Sequence, residues 1–246
     1  MSILLYFIIF FISTIQSIAG VGILVLGTPI MLIFNYSILE TMFFLLPISI
    51  ISSLSNLILI NSNFKTKQKI DLKLIKYFFI FCFPSVCIGL IIIKNFNELI
   101  NFNILISIII FVSIIIKIKY EQFFLKLKKN SKKTITFFIG LIHGLTNSGG
   151  TLLSLFITSK DKKKFNLLRF EIHLFYFFLA TTQLIVLYLL VNYEFQYNIN
   201  LYLVFLIVII SCFVGNKIAN MFKNLTTYII YILAIISSII LFLKSF

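Results

Sequence analysis

Eight long blocks of apolar residues constrain this chain more than anything else in it. They cover 2–34, 38–60, 77–93, 104–118, 135–158, 170–191, 201–219 and 226–243, and each contains a stretch with few or no charges. A helix needs roughly 20 such residues to cross the hydrocarbon core of a bilayer, and at least six blocks reach that length. The fourth is short, but Lys117 and Lys119 can snorkel from its end. In lipid every backbone polar group must be paired internally, which leaves helices or a closed barrel. The runs are continuous rather than alternating, so they predict helices. With 61% hydrophobic residues and a mean hydropathy of +1.12, the chain has too little polar surface for a water-facing globule. The expected fold is an all-α membrane protein of about eight transmembrane helices.

A formal net charge of +14 suggests nucleic acid at first sight. The Lys and Arg residues fall in the gaps between apolar blocks, however, and the positive-inside rule explains them without a polyanion. The expected partners are therefore the lipid bilayer and a small solute, with no nucleic acid. Cys82, Cys87 and Cys212 all lie inside apolar blocks without CxxC spacing and read as buried small residues. No cofactor is implied. The N-terminal block lacks a preceding basic region and a small-residue cleavage site, so it reads as a retained first span.

The chain repeats itself. FPSVCIGLIIIKNF around Gly89 matches IISCFVGNKIANMF around Gly215, pairing Ser85 with Ser211, Gly89 with Gly215 and Phe96 with Phe222 at an offset of 126. SIAGVG (17–22) matches GLTNSG (144–149) at an offset of 127. These offsets predict two four-helix repeats, 1–118 and 119–246, in one membrane domain joined by a basic linker at 117–133. An even number of spans per repeat predicts parallel halves. In a plain eight-span arrangement, thirteen basic residues lie on the side of the termini and eight on the other. That predicts an inner (cell) membrane protein with both termini cytoplasmic. The five basic residues of 160–169 violate the rule unless the fifth segment dips in and returns.

The candidate site lies where the first block of each half is interrupted. The first reads QSIAGVGILVLGTPIML, with Gln16, Gly20, Gly22, Thr28 and Pro29; its counterpart reads GLIHGLTNSGGTLLSLF, with His143, Asn147, Ser148, Gly149 and Gly150. Gly lowers helix propensity by about 1 kcal/mol, and Pro removes a backbone donor. Paired Gly/Pro-broken spans at matching places point to a transporter site, because a restarting helix offers a partly positive N-terminus to an anion. The alternative is that the glycines only permit close helix packing. Ser49, Ser52, Ser53 and Asn56 share one face of the second span, and Arg169, His173, Tyr176, Ala180 and Gln183 one face of the sixth. Ser53, Asn56, His173 and Gln183 complete the substrate-binding set. Polar residues in spans usually face the bundle interior.

These stretches resemble the TauE/SafE-type sulfite exporter permeases. The resemblance runs over the whole chain and rests on QSIAGVG…GTPIML, on GLIHGLTNSGGTLLSLFITSKDKKKFNLLRF and on the glycine-centred PSVCIGL and SCFVGNKIANMF. It implies an eight-span, two-repeat carrier that moves a small anion such as sulfite, a sulfonate or a small organic anion, usually outward and by alternating access. No HExxH or GxSxG motif occurs, so an enzyme is not expected. Two other classes remain open at this point. One is a haem-binding subunit with His143 and His173 as axial ligands; the other is a non-transporting membrane scaffold.

Overall fold

The computed structural model describes residues 2–61, 72–96, 98–125, 129–158, 165–191, 200–221 and 225–245. No strand occurs among them. In chain order the helices are α1 (Ser2–Ala19), α2 (Ile23–Ile33), α3 (Ile38–Asn61), α4 (Leu72–Tyr77), α5 (Phe83–Phe96), α6 (Phe102–Leu125), α7 (Lys129–Thr146), α8 (Gly150–Thr158), α9 (Phe165–Leu190), α10 (Leu201–Met221) and α11 (Leu225–Leu243). A π-helical turn over Phe78–Cys82 fuses α4 to α5. Four helices are long and apolar enough to cross a membrane: Ile38–Asn61, Leu74–Phe96, Phe165–Leu190 and Leu201–Met221. Shorter apolar helices accompany them at Ile3–Ala19, Ile23–Ile33, Phe102–Ile116 and Ala234–Leu243.

Side chains are distributed inside out. Leu206, Ile210 and Phe213 on α10, Ile58 on α3 and Ile236 on α11 are exposed, whereas Ser52, Ser53, Asn56, His143 and Gln183 are fully buried. That is the arrangement of a bundle whose solvent is lipid and whose polar groups face each other. Glycines let the helices approach. A Cβ on Gly89 would lie 2.7 Å from the Leu141 carbonyl oxygen, and one on Gly215 would lie 2.7 Å from that of Thr14. α5 therefore packs on α7, and α10 on α1.

Contacts fix the direction of each helix. Tyr6 Oη accepts from the Asn200 backbone while Gly215 meets Thr14 and Ser17, so α1 and α10 run parallel. Cys212 lies beside Ser52 and Asn216 beside Asn56, so α3 runs with them. α9 runs the other way: Gln183 reaches Met42 and Tyr188 packs edge-on against Phe43. α5 follows α9, since Phe78 stacks near Phe175 and Phe79 near Phe178. α7 follows α5, because Gly140 meets Cys82 and Gly144 meets Val86.

The parallel halves expected from the repeat are not what these contacts give. α3 and α9 begin 127 positions apart, at Ile38 and Phe165, and they are antiparallel; α1 and α7 are likewise opposed. The reason is that the first block is not one span. α1 enters from one end of the bundle, and α2 returns to that same end, where Lys244 Nζ donates to the carbonyls of Leu32 (3.0 Å) and Ile33 (2.6 Å). α7 and α8 do the same from the opposite end. Pro29 does not make the first break; it lies inside α2.

Candidate functional site

Both breaks are built in the same way. α1 ends at Gly20, whose φ of +79° is left-handed and whose N–H donates to the Gln16 carbonyl at 2.7 Å. α7 ends at Asn147, with φ of +61° and its N–H on the His143 carbonyl at 2.8 Å. A left-handed residue just past the last turn closes a helix, and Gly and Asn are the types that adopt it most readily. The chain then folds back on the helix it has left. A Cβ on Gly22 would come within 2.7 Å of Gln16 N, and one on Gly149 within 2.7 Å of the Ile139 carbonyl and the His143 Cβ. Only glycine allows so close a return, and the partners again stand 127 positions apart.

The breaks meet. Asn147 Nδ2 donates to Thr28 Oγ1 of α2 at 3.1 Å, joining the second break to the helix that leaves the first. Gln16 caps α2 by accepting from Ile23 N at 3.0 Å, and its Nε2 donates to Ser53 at 3.3 Å. His143 occupies the place of Gln16 in the second half but caps nothing: neither ring nitrogen has a partner among the described residues. Gln183 Nε2 donates to the His143 carbonyl at 3.2 Å, leaving its Oε1 free. The Tyr176 ring end lies against Gly150 at the start of α8, and its hydroxyl has no partner among the described residues. Asn147 Oδ1 and Ser49 Oγ are also buried, without a partner among the described residues.

The expected residues divide accordingly. Gln16, Thr28, Ser53, His143, Asn147, Gly149, Gly150 and Gln183 gather around the two breaks, with Gly20 and Gly22 forming the first. Ser148 closes its own loop, donating to the Thr146 carbonyl at 3.2 Å. His173 sits on α9 with both ring nitrogens buried and without a partner among the described residues. Asn56 lies farther along, in a network. Its Nδ2 donates to Ser17 Oγ (2.9 Å) and to Cys212 Sγ (3.4 Å), while its Oδ1 accepts from Asn216 (2.7 Å). Asn216 Oδ1 in turn accepts from Arg169 Nη2 at 2.7 Å. Ser17, Cys212 and Asn216 were not predicted to line the site. Their polar character in packing positions carries no signal until α1, α3 and α10 are brought together.

Chemically the centre offers neutral donors, a restarting helix and no carboxylate among the residues named, which suits a small anion better than a cation. Buried polar groups without partners cost free energy in an apolar medium. The family model described as Sulfite exporter TauE/SafE matches residues 5–242. No curated protein and no solved structure matches the chain. The chain belongs to the TauE/SafE sulfite exporter family and is an integral membrane protein of transporter type.

Proposed function

We propose that the chain is a permease that moves a small anion outward, in the class of sulfite, a sulfonate or a small organic anion, by alternating access around the two meeting breaks. The observation that carries this is the convergence of Asn147, Thr28, His143, Tyr176 and Gln183, with unpartnered buried polar atoms on four of them. A core that existed only for packing would not hold so many orphaned polar groups. The opposed pairs α1/α7 and α3/α9 support two inverted repeats, each one re-entrant hairpin followed by three spans; because α6 runs on to Leu125 and α7 begins at Lys129, the units meet between those helices and not at the 118/119 boundary expected from the repeat.

The hairpins also change the expected orientation. The helix ends flanking the Lys-rich connections all lie at one end of the bundle. By sequence, the connections between those helix ends hold five Lys in 62–76, seven in 117–133 and five basic residues in 160–169, with Lys217 and Lys223 at the last of them. Only Lys94 and Lys244 belong to the other end. Nineteen of 21 is a far stronger bias than the thirteen to eight of the plain arrangement. By the positive-inside rule it favours a cytoplasmic basic end and both termini outside, the reverse of the orientation expected from counting eight spans. Purified protein in liposomes, assayed with labelled sulfite, methanesulfonate and acetate, tests the function. Saturable flux of at least one that falls in Asn147→Ala is the expected result; no flux above empty liposomes would refute it.

A further inference from the structure

Arg169 is the chain's one arginine, and it is 3% exposed. Its guanidinium stacks over the Phe165 ring at 5.5 Å. It donates through Nη2 to the Ser17 carbonyl and to Asn216 Oδ1 at 2.7 Å, and Nε has no partner among the described residues. Both of these acceptors are neutral. Those acceptors belong to the last turn of α1 and to α10, and Asn216 is tied onward to Asn56 of α3. One buried charge thus pins α9 to three helices at the basic end of the bundle.

The equivalent place at the other end is different. The positions 126 or 127 away from Arg169, Ser17, Asn56 and Asn216 are Met42, Gly144, Gln183 and Leu90. There Gly144 packs directly on Val86, and Gln183 Nε2 reaches the Met42 sulfur at 3.5 Å. Among the described residues, those equivalent positions hold no charged clamp. From Arg169, one face of α9 leads inward through His173 to Tyr176, both unpartnered, and so to Gly150 and the breaks.

The geometry points to Arg169 as the substrate-responsive latch of the basic end, an inference that rests on the anion-permease reading. Charge-assisted bonds to an oxyanion are roughly twice as strong as those to neutral acceptors, and a guanidinium takes an oxyanion in a bidentate grip. An arriving anion displaces the Ser17 carbonyl and Asn216 from the guanidinium, frees α9 from α1 and α10, and passes to the His173 and Tyr176 donors. A neutral solute gains nothing over the acceptors already in place, so the latch also selects charge.

Cys212, buried against Ser52 and Asn56 within the same network, reports the latch. In a Cys82→Ala/Cys87→Ala background, Cys212 is labelled with a membrane-impermeant maleimide added to the basic end in everted vesicles. Arg169→Gln and Asn216→Ala are each expected to label at least tenfold faster than the background without any anion. If both variants are monodisperse and label at the background rate, the latch is wrong, whatever the protein transports. Acetate and methanesulfonate, whichever shows flux, should accelerate labelling of the background protein, do so less in Arg169→Lys, and have no effect in Arg169→Gln. A transported anion that leaves the background rate unchanged also overturns the latch. Absence of any flux, with the variants still labelling faster, would instead sink the permease reading and leave a clamp that no anion opens.

Discussion

Gly150 and Tyr176 touch so closely that a side chain at position 150 would occupy the place of the tyrosine hydroxyl. Gly150→Ala is therefore expected to fold, since Ala favours a helix by about 1 kcal/mol over Gly, but to displace that hydroxyl. Flux should fall about tenfold, the equivalent of one lost hydrogen bond of roughly 1.4 kcal/mol. Tyr176→Phe alone should give a similar loss, and the double variant no further loss; additive losses would show the two positions act separately. Asn147 allows a second comparison, because its left-handed backbone and its bond to Thr28 can be separated. Asn147→Gly should lose only the bond, about 0.5–1.5 kcal/mol. Asn147→Ala should lose about 1–2 kcal/mol more from the backbone. Thermal melting in detergent should then rank wild type above Gly and Gly above Ala.

At the scale of elements, the two hairpins are alike in backbone and unlike in chemistry. Gln16 accepts from the first N–H of α2, whereas His143 leaves the N–H groups at the start of α8 to other acceptors. Gln16→Ala should cost about 1 kcal/mol as a lost helix cap. Gln16→Glu keeps the acceptor but sets a negative charge beside the anion path, so it should retain thermal stability while losing most of the flux. If both substitutions lower stability and leave flux intact, α2 is scaffolding and the site is built on α8 alone. The π-helical turn at Phe78–Cys82 has a packing reason: it sits where Gly140 of α7 presses against the Cys82 carbonyl, and Ser85 Oγ donates to that carbonyl at 2.8 Å.

For the molecule as a whole, the hairpins decide which loops share a side. In the proposed topology Lys128→Cys and Lys162→Cys are expected to label from the same compartment, and Lys94→Cys from the other. Impermeant thiol labelling of intact cells and of everted vesicles, in a cysteine-free background, separates the cases. Labelling of positions 128 and 162 from opposite sides would restore the plain eight-span arrangement. It would also place 160–169 away from the other basic segments.

The sequence alone determined membrane residence and helicity, because apolar run length and backbone hydrogen bonding in lipid are local requirements. It also marked the two breaks, since Gly20, Gly22, Asn147 and Gly149 are residue types that a left-handed turn or a close return demands, and their offset of 127 is visible in the letters. It could not determine direction. Whether 2–34 crosses once or doubles back depends on Gly22 packing against Gln16 and on Lys244 reaching Leu32 and Ile33, contacts spanning up to 212 positions. That one decision turns parallel helices into opposed ones and brings the helix ends that flank the Lys-rich segments to one end of the bundle. The same holds for the site. The residues of the proposed centre stand out in the motifs, but Arg169 acquired its partners Ser17 and Asn216 only when α1, α9 and α10 came together, because a guanidinium's role is set by which acceptors surround it.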